Sequence, residues 1–327
     1  KAIKGQTIQN RTSDPLVAGI ANGSWASAPN MNTARAVGMS GGPATSAIVA
    51  GGTDPGGAYT NSSETFNGSA WTAAPNMTEG RDEPGGFATS SEAAIAAGGY
   101  TTAGTAGVRA TCEQFDGSSW TEVSDLNEGR SSIQGTCWGT ATAGALVAGV
   151  DNGSPGTNEQ KQEHWDGSSW SEEADLNLGR RDAGGAGTQT AAILGAGMSG
   201  SPYPGTITNN TEVWNGSAWT EVAEMNNAQR AFGGSFGTST AAIFAGGQPP
   251  EVAHTEYYDG STWTEIGDMT TARSGGMGFG LATVGYAYGD NGKSAAGEVF
   301  TSASITDSIV TEGQMFYRTD TGDLKVT

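Results

Sequence analysis

The stretch Glu113-Gln114-Phe115-Asp116-Gly117-Ser118-Ser119-Trp120 is followed by Arg130, then by a Gly/Ser-containing stretch, and then by the small-apolar run Ala145-Leu146-Val147-Ala148-Gly149. That order of features recurs along the whole chain. Asn or Asp, Gly, Ser, any residue and Trp stand at Asn67 to Trp71, Asp116 to Trp120, Asp166 to Trp170, Asn215 to Trp219 and Asp259 to Trp263, and at Asn22 to Trp25 with the spacer missing. Ten or eleven residues after each Trp comes an arginine: Arg35, Arg81, Arg130, Arg180, Arg230 and Arg273. Small-apolar runs follow at Ala47 to Gly52, Ala94 to Gly99, Ala145 to Gly149, Ala192 to Gly197 and Ala242 to Gly247, and each unit closes on Glu and an aromatic, as in Glu64/Phe66, Glu163/Trp165, Glu212/Trp214, Glu256/Tyr258 and Glu298/Phe300. Six copies of a pattern with this many parts are a structural repeat, and a period of 44 to 50 residues suits a four-stranded supersecondary unit.

Each part has a local reading. An aromatic followed by Asn-Gly or Asp-Gly and then Trp is a hairpin signal, expected as a type I′ turn with positive φ at both central residues. The Glu-aromatic and Trp segments are then antiparallel neighbours. The Ala/Ile/Val/Gly-Gly runs read as short buried strands whose glycines allow a bend or a close backbone approach. The segment after each arginine, such as Arg230-Ala231-Phe232-Gly233-Gly234-Ser235, is poor in bulk and suits an innermost strand. The large Trp belongs farther out, where units diverge. One arginine per unit at an equivalent position is expected to be a brace to a carboxylate or to a carbonyl at a strand end, where a planar guanidinium makes two hydrogen bonds.

Composition agrees with this reading. The 53 Gly and 11 Pro, against eight Leu, argue against a helical bundle, and nine Trp, eight Tyr and nine Phe argue against disorder. A net charge of −19 makes nucleic acid a poor partner, and no apolar stretch is long enough to insert in a membrane. Cys112 and Cys137 read as buried thiols, with one disulfide as the alternative.

The fold class expected is all-β: a propeller with six four-stranded blades over residues 22–300, an N-terminal lead over 1–21 and a C-terminal β-hairpin over 301–327. The last unit lacks its own Trp strand after Phe300, and Trp25 lacks an Arg segment before it, so the N-terminal strand is expected to complete the last blade and leave no open edge. A seven-bladed ring using both ends is the alternative, although neither end carries another Arg or double-Gly strand.

Gly-Gly followed by an aromatic, then Trp, then Arg resembles the Kelch repeat family, over about Asn22 to Phe300. Gly149-Val150 and Gly289-Asp290 depart from the double Gly. Residues Gly313-Gln314-Met315-Phe316-Tyr317 and the Asp320 to Asp323 turn resemble hairpin segments of bacteriophage tail-fibre and other structural proteins, and Trp25 to Arg35 resembles degenerate Kelch-like repeats of marine phage virion proteins. The resemblance implies a structural or adhesive virion component in an extracellular particle. Its partners would be other virion proteins and a host-surface glycan or protein.

No catalytic constellation stands beside this. His164 and His254 are the two histidines, in different units, and read as exposed or strand-packing. A Kelch copper oxidase would need a His pair with a Tyr-Cys partner, and the Asp-box of sialidases needs one more residue than Asp259 to Trp263 provides. No catalytic residue, cofactor or metal site is therefore expected, and Asp151-Asn152-Gly153 and Asp290-Asn291-Gly292 read as turns. The alternative function is a secreted or surface glycan-binding, lectin-like propeller that uses the repeated Arg, Glu and aromatic as a sugar pocket. Contacts are otherwise expected on the variable loops Thr53 to Ser63, Thr101 to Arg109, Asp151 to Gln160, Met198 to Asn210 and Gln248 to His254.

Overall fold

The computed structural model describes residues 9–11, 20–101, 107–151, 157–200, 205–303, 315–318 and 324–326. Among them are six four-stranded antiparallel sheets in a propeller-like arrangement. The first contains Met39–Gly41, Ala47–Ala50, Ser63–Phe66 and Trp71–Ala74. The second contains Gly85–Ser90, Ala93–Ala97, Cys112–Phe115 and Trp120–Val123, and the third Cys137–Thr140, Ala143–Val147, Gln162–Trp165 and Trp170–Glu172. The fourth contains Gly184–Thr188, Ala191–Gly195, Thr211–Trp214 and Trp219–Val222, and the fifth Gly234–Thr238, Ala241–Ala245, Thr255–Tyr258 and Trp263–Ile266. The sixth draws on both ends of the repeat region: Met277–Leu281, Val284–Tyr288 and Gly297–Thr301 are followed in space by Ser24–Ala28, with Trp25 opposite Phe300.

The first strands of the six sheets neighbour one another in sequence order, and that of the first sheet also meets that of the sixth. They approach closely because they carry little side chain. A Cβ on Gly41 would stand 2.5 Å from the backbone nitrogen of Ala88 in the next sheet. The outer Trp residues fill the widening gaps instead. Trp71 packs in one cluster with Phe279, Tyr286 and Tyr288 of the sixth sheet, and Trp120 Nε1 donates to Ser63 Oγ of the first at 3.3 Å.

The repeated hairpin is not the two-residue turn that the sequence suggests. Phe66 pairs with Trp71, which leaves Asn67 to Ala70 as a four-residue loop. Gly68 has a positive φ of 92°, while Asn67 works through its side chain, whose Oδ1 accepts from the backbone nitrogens of Ser69 and Ala70 at 3.0 and 2.9 Å. Asp116, Asp166, Asn215 and Asp259 repeat this Asx-type closure.

Five of the six expected arginine braces form. Arg35 donates to the carbonyls of Gly51 and Ser62 at 3.1 and 2.7 Å and to Glu64 Oε1 at 3.1 Å. Arg81 with Glu113, Arg130 with Glu163, Arg180 with Glu212 and Arg273 with Glu298 repeat the pair at 2.5 to 2.9 Å, and all ten side chains are buried. The second oxygen of each glutamate accepts from the linker leading in from the preceding sheet, as from Asn32 N and Nδ2 on Glu64. The brace thus fastens each linker to the sheet that follows it.

Arg230 is the exception and corrects the sequence reading. Ten residues separate Trp from Arg in the other units, and counting ten from Trp219 reaches Gln229, which is buried at the brace position. Glu256 is held there by the backbone and side-chain nitrogens of Asn226 and Asn227 instead. Arg230, one residue farther on, leaves its own sheet and bonds Asp182.

Outside the six sheets, Met315–Arg318 pairs antiparallel with Leu324–Val326, and Gln9–Arg11 adds to it in parallel. The expected C-terminal hairpin is therefore present as strands, while its turn and most of the lead over 1–21 lie outside the described residues. Cys112 and Cys137 are both free thiols; Cys112 is buried, Cys137 is half-buried as a residue, and burial pushes both thiols up to about 12.

Removing a guanidinium from a brace leaves its glutamate buried without its main counter-charge. Arg130→Met is expected to cost about 3 to 5 kcal/mol in urea unfolding, whereas Gln229→Met should cost less than half as much. Equal losses would contradict the assignment.

Candidate functional site

The linkers that carry the braces and the loops between second and third strands meet at one end of the channel. Two residues after each brace position the backbone turns into the left-handed region: φ is 48° at Val37, 52° at Glu83, 57° at Ser132, 54° at Asp182, 49° at Ala231 and 61° at Gly275. Five of these six are not glycine, a conformation that costs of order 1 kcal/mol or more each. The strain is offset by hydrogen bonds from one linker to the next. Glu83 N donates to Val37 O, Asp182 N to Ser132 O, Ala231 N to Asp182 O, Gly275 N to Ala231 O, and Val37 N to Gly275 O, at 2.7 to 3.2 Å. The last bond joins the linker of the first sheet to that of the sixth; the remaining junction, between Glu83 and Ser132, is bridged by their side chains, and together these bonds form a collar around the channel mouth.

The collar fixes an asymmetric group of polar side chains. Ser132 Oγ donates to Glu83 Oε2 at 2.7 Å. Asp182 Oδ2 lies 3.1 Å from Arg230 Nη1 and 3.5 Å from Arg181 Nε. Arg181 is fully engaged, with Nη1 on Asn158 Oδ1 at 2.8 Å and Nη2 against Met198 Sδ at 2.8 Å, both from the surrounding loops. Thr53 Oγ1 donates to Asp82 Oδ1 at 2.5 Å. Five sheets, the first to the fifth, are thereby tied together at the mouth through side chains.

Removal from water governs the charge of this group. Burial, with the nearby Asp182 carboxylate as second cause, pushes the Glu83 carboxyl up to about 8. Burial likewise raises Asp182, although Arg181 and Arg230 favour its ionised form, and raises Asp82 against the Thr53 hydrogen bond. Beneath the cluster lies a cavity of about 30 Å³ lined in part by Gln134, Ala183, Ala231 and Phe232. Gln134 Oε1 is buried without a hydrogen-bond partner. The opposite end of the channel holds a cavity of about 280 Å³ lined by glycine backbone and by Phe87, Trp138, Phe236 and Phe279, with no charged side chain.

The repeated Arg, Glu and Trp do not form a sugar pocket: Arg35, Glu64 and Trp71 are 0%, 1% and 7% exposed, and their counterparts are similar. His164 packs its ring edge-on against Trp214 at 5.9 Å, with its pKa lowered by burial, and His254 lies just before the Thr255–Tyr258 strand of the fifth sheet with Nδ1 buried and unpartnered. Of the variable loops, Thr53, Asn158 and Met198 reach the mouth group. Asp151 was read as turn chemistry, and the structure also brings it together with Glu128 and Glu159 within 4.8 Å. Thr157 N donates to Asp151 Oδ1, the single Thr157 hydroxyl proton serves either Asp151 Oδ2 or Glu159 Oε1, and Lys161 pairs with Glu128.

The mouth group escaped the sequence reading, yet a signal for it exists. The eleven-residue Trp219-to-Arg230 interval and the second arginine directly after Arg180 both break the repeat, and both residues converge on Asp182.

Comparison with solved structures places this geometry in a known fold. The chain resembles YjhT, with a TM-score of 0.65 at 13% sequence identity, covering 87% of this chain and 99% of that one. The two share a fold. No protein-family model and no curated protein sequence matches the chain.

Because Glu83 holds its proton more tightly when folded than the ordinary glutamate value of 4.5, folding takes up a proton between that value and about 8. Stability is therefore expected to fall as pH rises through this window. Glu83→Gln should flatten that part of the profile and melt higher than the parent at pH 9. A parent profile as flat as the variant's would contradict the assignment.

Proposed function

We propose that the chain is a Kelch-like β-propeller of six blades, acting as a non-enzymatic structural or adhesive component of a bacteriophage particle. The observation that carries the binding role is the division of labour between the recurring and the variable parts of the repeat. Repeated Arg, Glu and Trp are buried in the frame, while Thr53, Asn158 and Met198, from loops that differ in length and sequence, join the polar mouth at one end. A rigid frame with divergent loops at one end suits recognition better than turnover. The separate three-stranded sheet made from both chain ends gives a second, independent attachment element, and its hairpin is the segment that resembles phage structural proteins. Its partners would be other virion proteins and a host-surface glycan or protein.

The glycan-binding alternative keeps support only at the mouth, since the repeated residues are sealed. Mass spectrometry of purified particles separates the readings. The chain is expected in fixed stoichiometry with the other particle proteins; its absence from particles, with saturable binding to a glycan array, would favour the secreted lectin.

A further inference from the structure

The charge of the chain is unevenly spread around the ring. Residues 79–273, which run from the end of the first sheet to the start of the sixth, hold 25 acidic against eight basic side chains and so carry −17 of the net −19. Residues 22–78 and 274–303, which build the first and sixth sheets, hold four against two, and the remaining chain ends are balanced at five against five. Of the six charged groups in these two sheets, Glu64, Glu298 and Arg35 are sealed in braces, while Asp54, Asp290 and Lys293 stand in loops between second and third strands, at the mouth. The outer edge of these neighbouring sheets therefore has no charged side chain. In sheets two to five the second and fifth residues after the outer Trp are acidic and exposed, as at Glu122 and Asp125; the same places hold Ala73 and Asn76 in the first sheet and Ser27 and Asn30 in the sixth, also exposed.

A second observation falls in the same sector. Leu281, 52% exposed, is the one large hydrophobic side chain exposed among the described residues. It ends the first strand of the sixth sheet, beside the cavity of about 280 Å³ and away from the mouth. We propose that the uncharged sector over the sixth and first sheets, with Leu281 at its corner, is a contact face for a second copy of this chain. The choice of partner follows from charge. A basic partner would be drawn to the carboxylates of sheets two to five, so a face free of charge on an acidic chain suits a partner that is itself acidic. A second copy meets that condition, and two such faces related by a two-fold axis are the same patch met twice. Contact there removes Leu281 from water, brings together small Ala, Ser and Thr side chains that allow close approach, and buries no unpaired charge. It also leaves the two acidic arcs on the outside of the pair.

This inference goes beyond the recognition role and holds whether or not the chain belongs to a particle. Sedimentation equilibrium of the full chain, over a range of protein and sodium chloride concentrations, provides the test. A monomer–dimer equilibrium is expected, and it should tighten as salt screens the acidic arcs from one another. Leu281→Glu and Ala73→Glu each place a carboxylate on the face and are expected to weaken dimerisation about tenfold or more. Glu122→Gln, on the acidic arc, should associate at least as strongly as the parent. Leu281 and Ala73 are both exposed, and circular dichroism separates a dissociated variant from an unfolded one. A monomer at every concentration and salt, association that weakens with salt, or Leu281→Glu and Ala73→Glu variants that fold and associate like the parent would overturn the proposal.

Discussion

The buried arginine–glutamate pair is the interaction on which the rest depends. Burying two charges costs several kcal/mol unless the pair is well hydrogen-bonded, and here both carboxylate oxygens and the Nη groups of the guanidinium are used, while Nε of Arg35, Arg81, Arg130 and Arg273 is left without a partner. The guanidinium takes two carbonyls and a carboxylate oxygen, and the other carboxylate oxygen takes the incoming linker. That arrangement specifies a register: the linker can enter the next sheet at one place only. With the linker fixed, its following residues are forced into left-handed backbone conformations, and their amides reach the carbonyls of the adjoining linker. Local ion pairs thus become a collar around the mouth.

Much of the fold was legible because it repeats. The Asn/Asp-Gly-Ser-x-Trp hairpins, the small-apolar strands and the pairing of Trp25 with Phe300 follow from alternating size and from the absence of a Trp strand after the sixth unit. The hairpin turn type was not legible. Asn-Gly supports a two-residue turn by backbone preference, but the Phe66–Trp71 pairing leaves two further residues that the Asn side chain caps. The brace in the fifth unit was misread for a related reason: an arginine at eleven residues looks like one at ten until the buried position is seen to belong to Gln229.

The mouth was the least legible part because its members lie far apart in the chain and none belongs to a recognisable motif. Glu83, Ser132, Asp182 and Arg230 come from four successive linkers and meet only when the sheets are arranged around the channel. What marks them is departure from repetition. Positions that repeat are buried and hold the frame together, while positions that differ collect at one end with the variable loops. This partition, and not a fold-level likeness at 13% identity, is the support for the recognition role proposed above.

Amide hydrogen exchange under native conditions tests the central claim that the braces weld the sheets into one unit. Gly52, Gly99, Gly149, Gly197 and Gly247 each donate to the backbone carbonyl at the brace position of the following sheet, at 2.8 to 2.9 Å. If the ring opens only as a whole, these five amides exchange with a common free energy equal to that of global unfolding. Exchange of Gly197, beside the Gln229 position, at the same free energy as the others would show that the collar enforces cooperativity even where the arginine is missing. Five different free energies, each below the global value, would contradict the account.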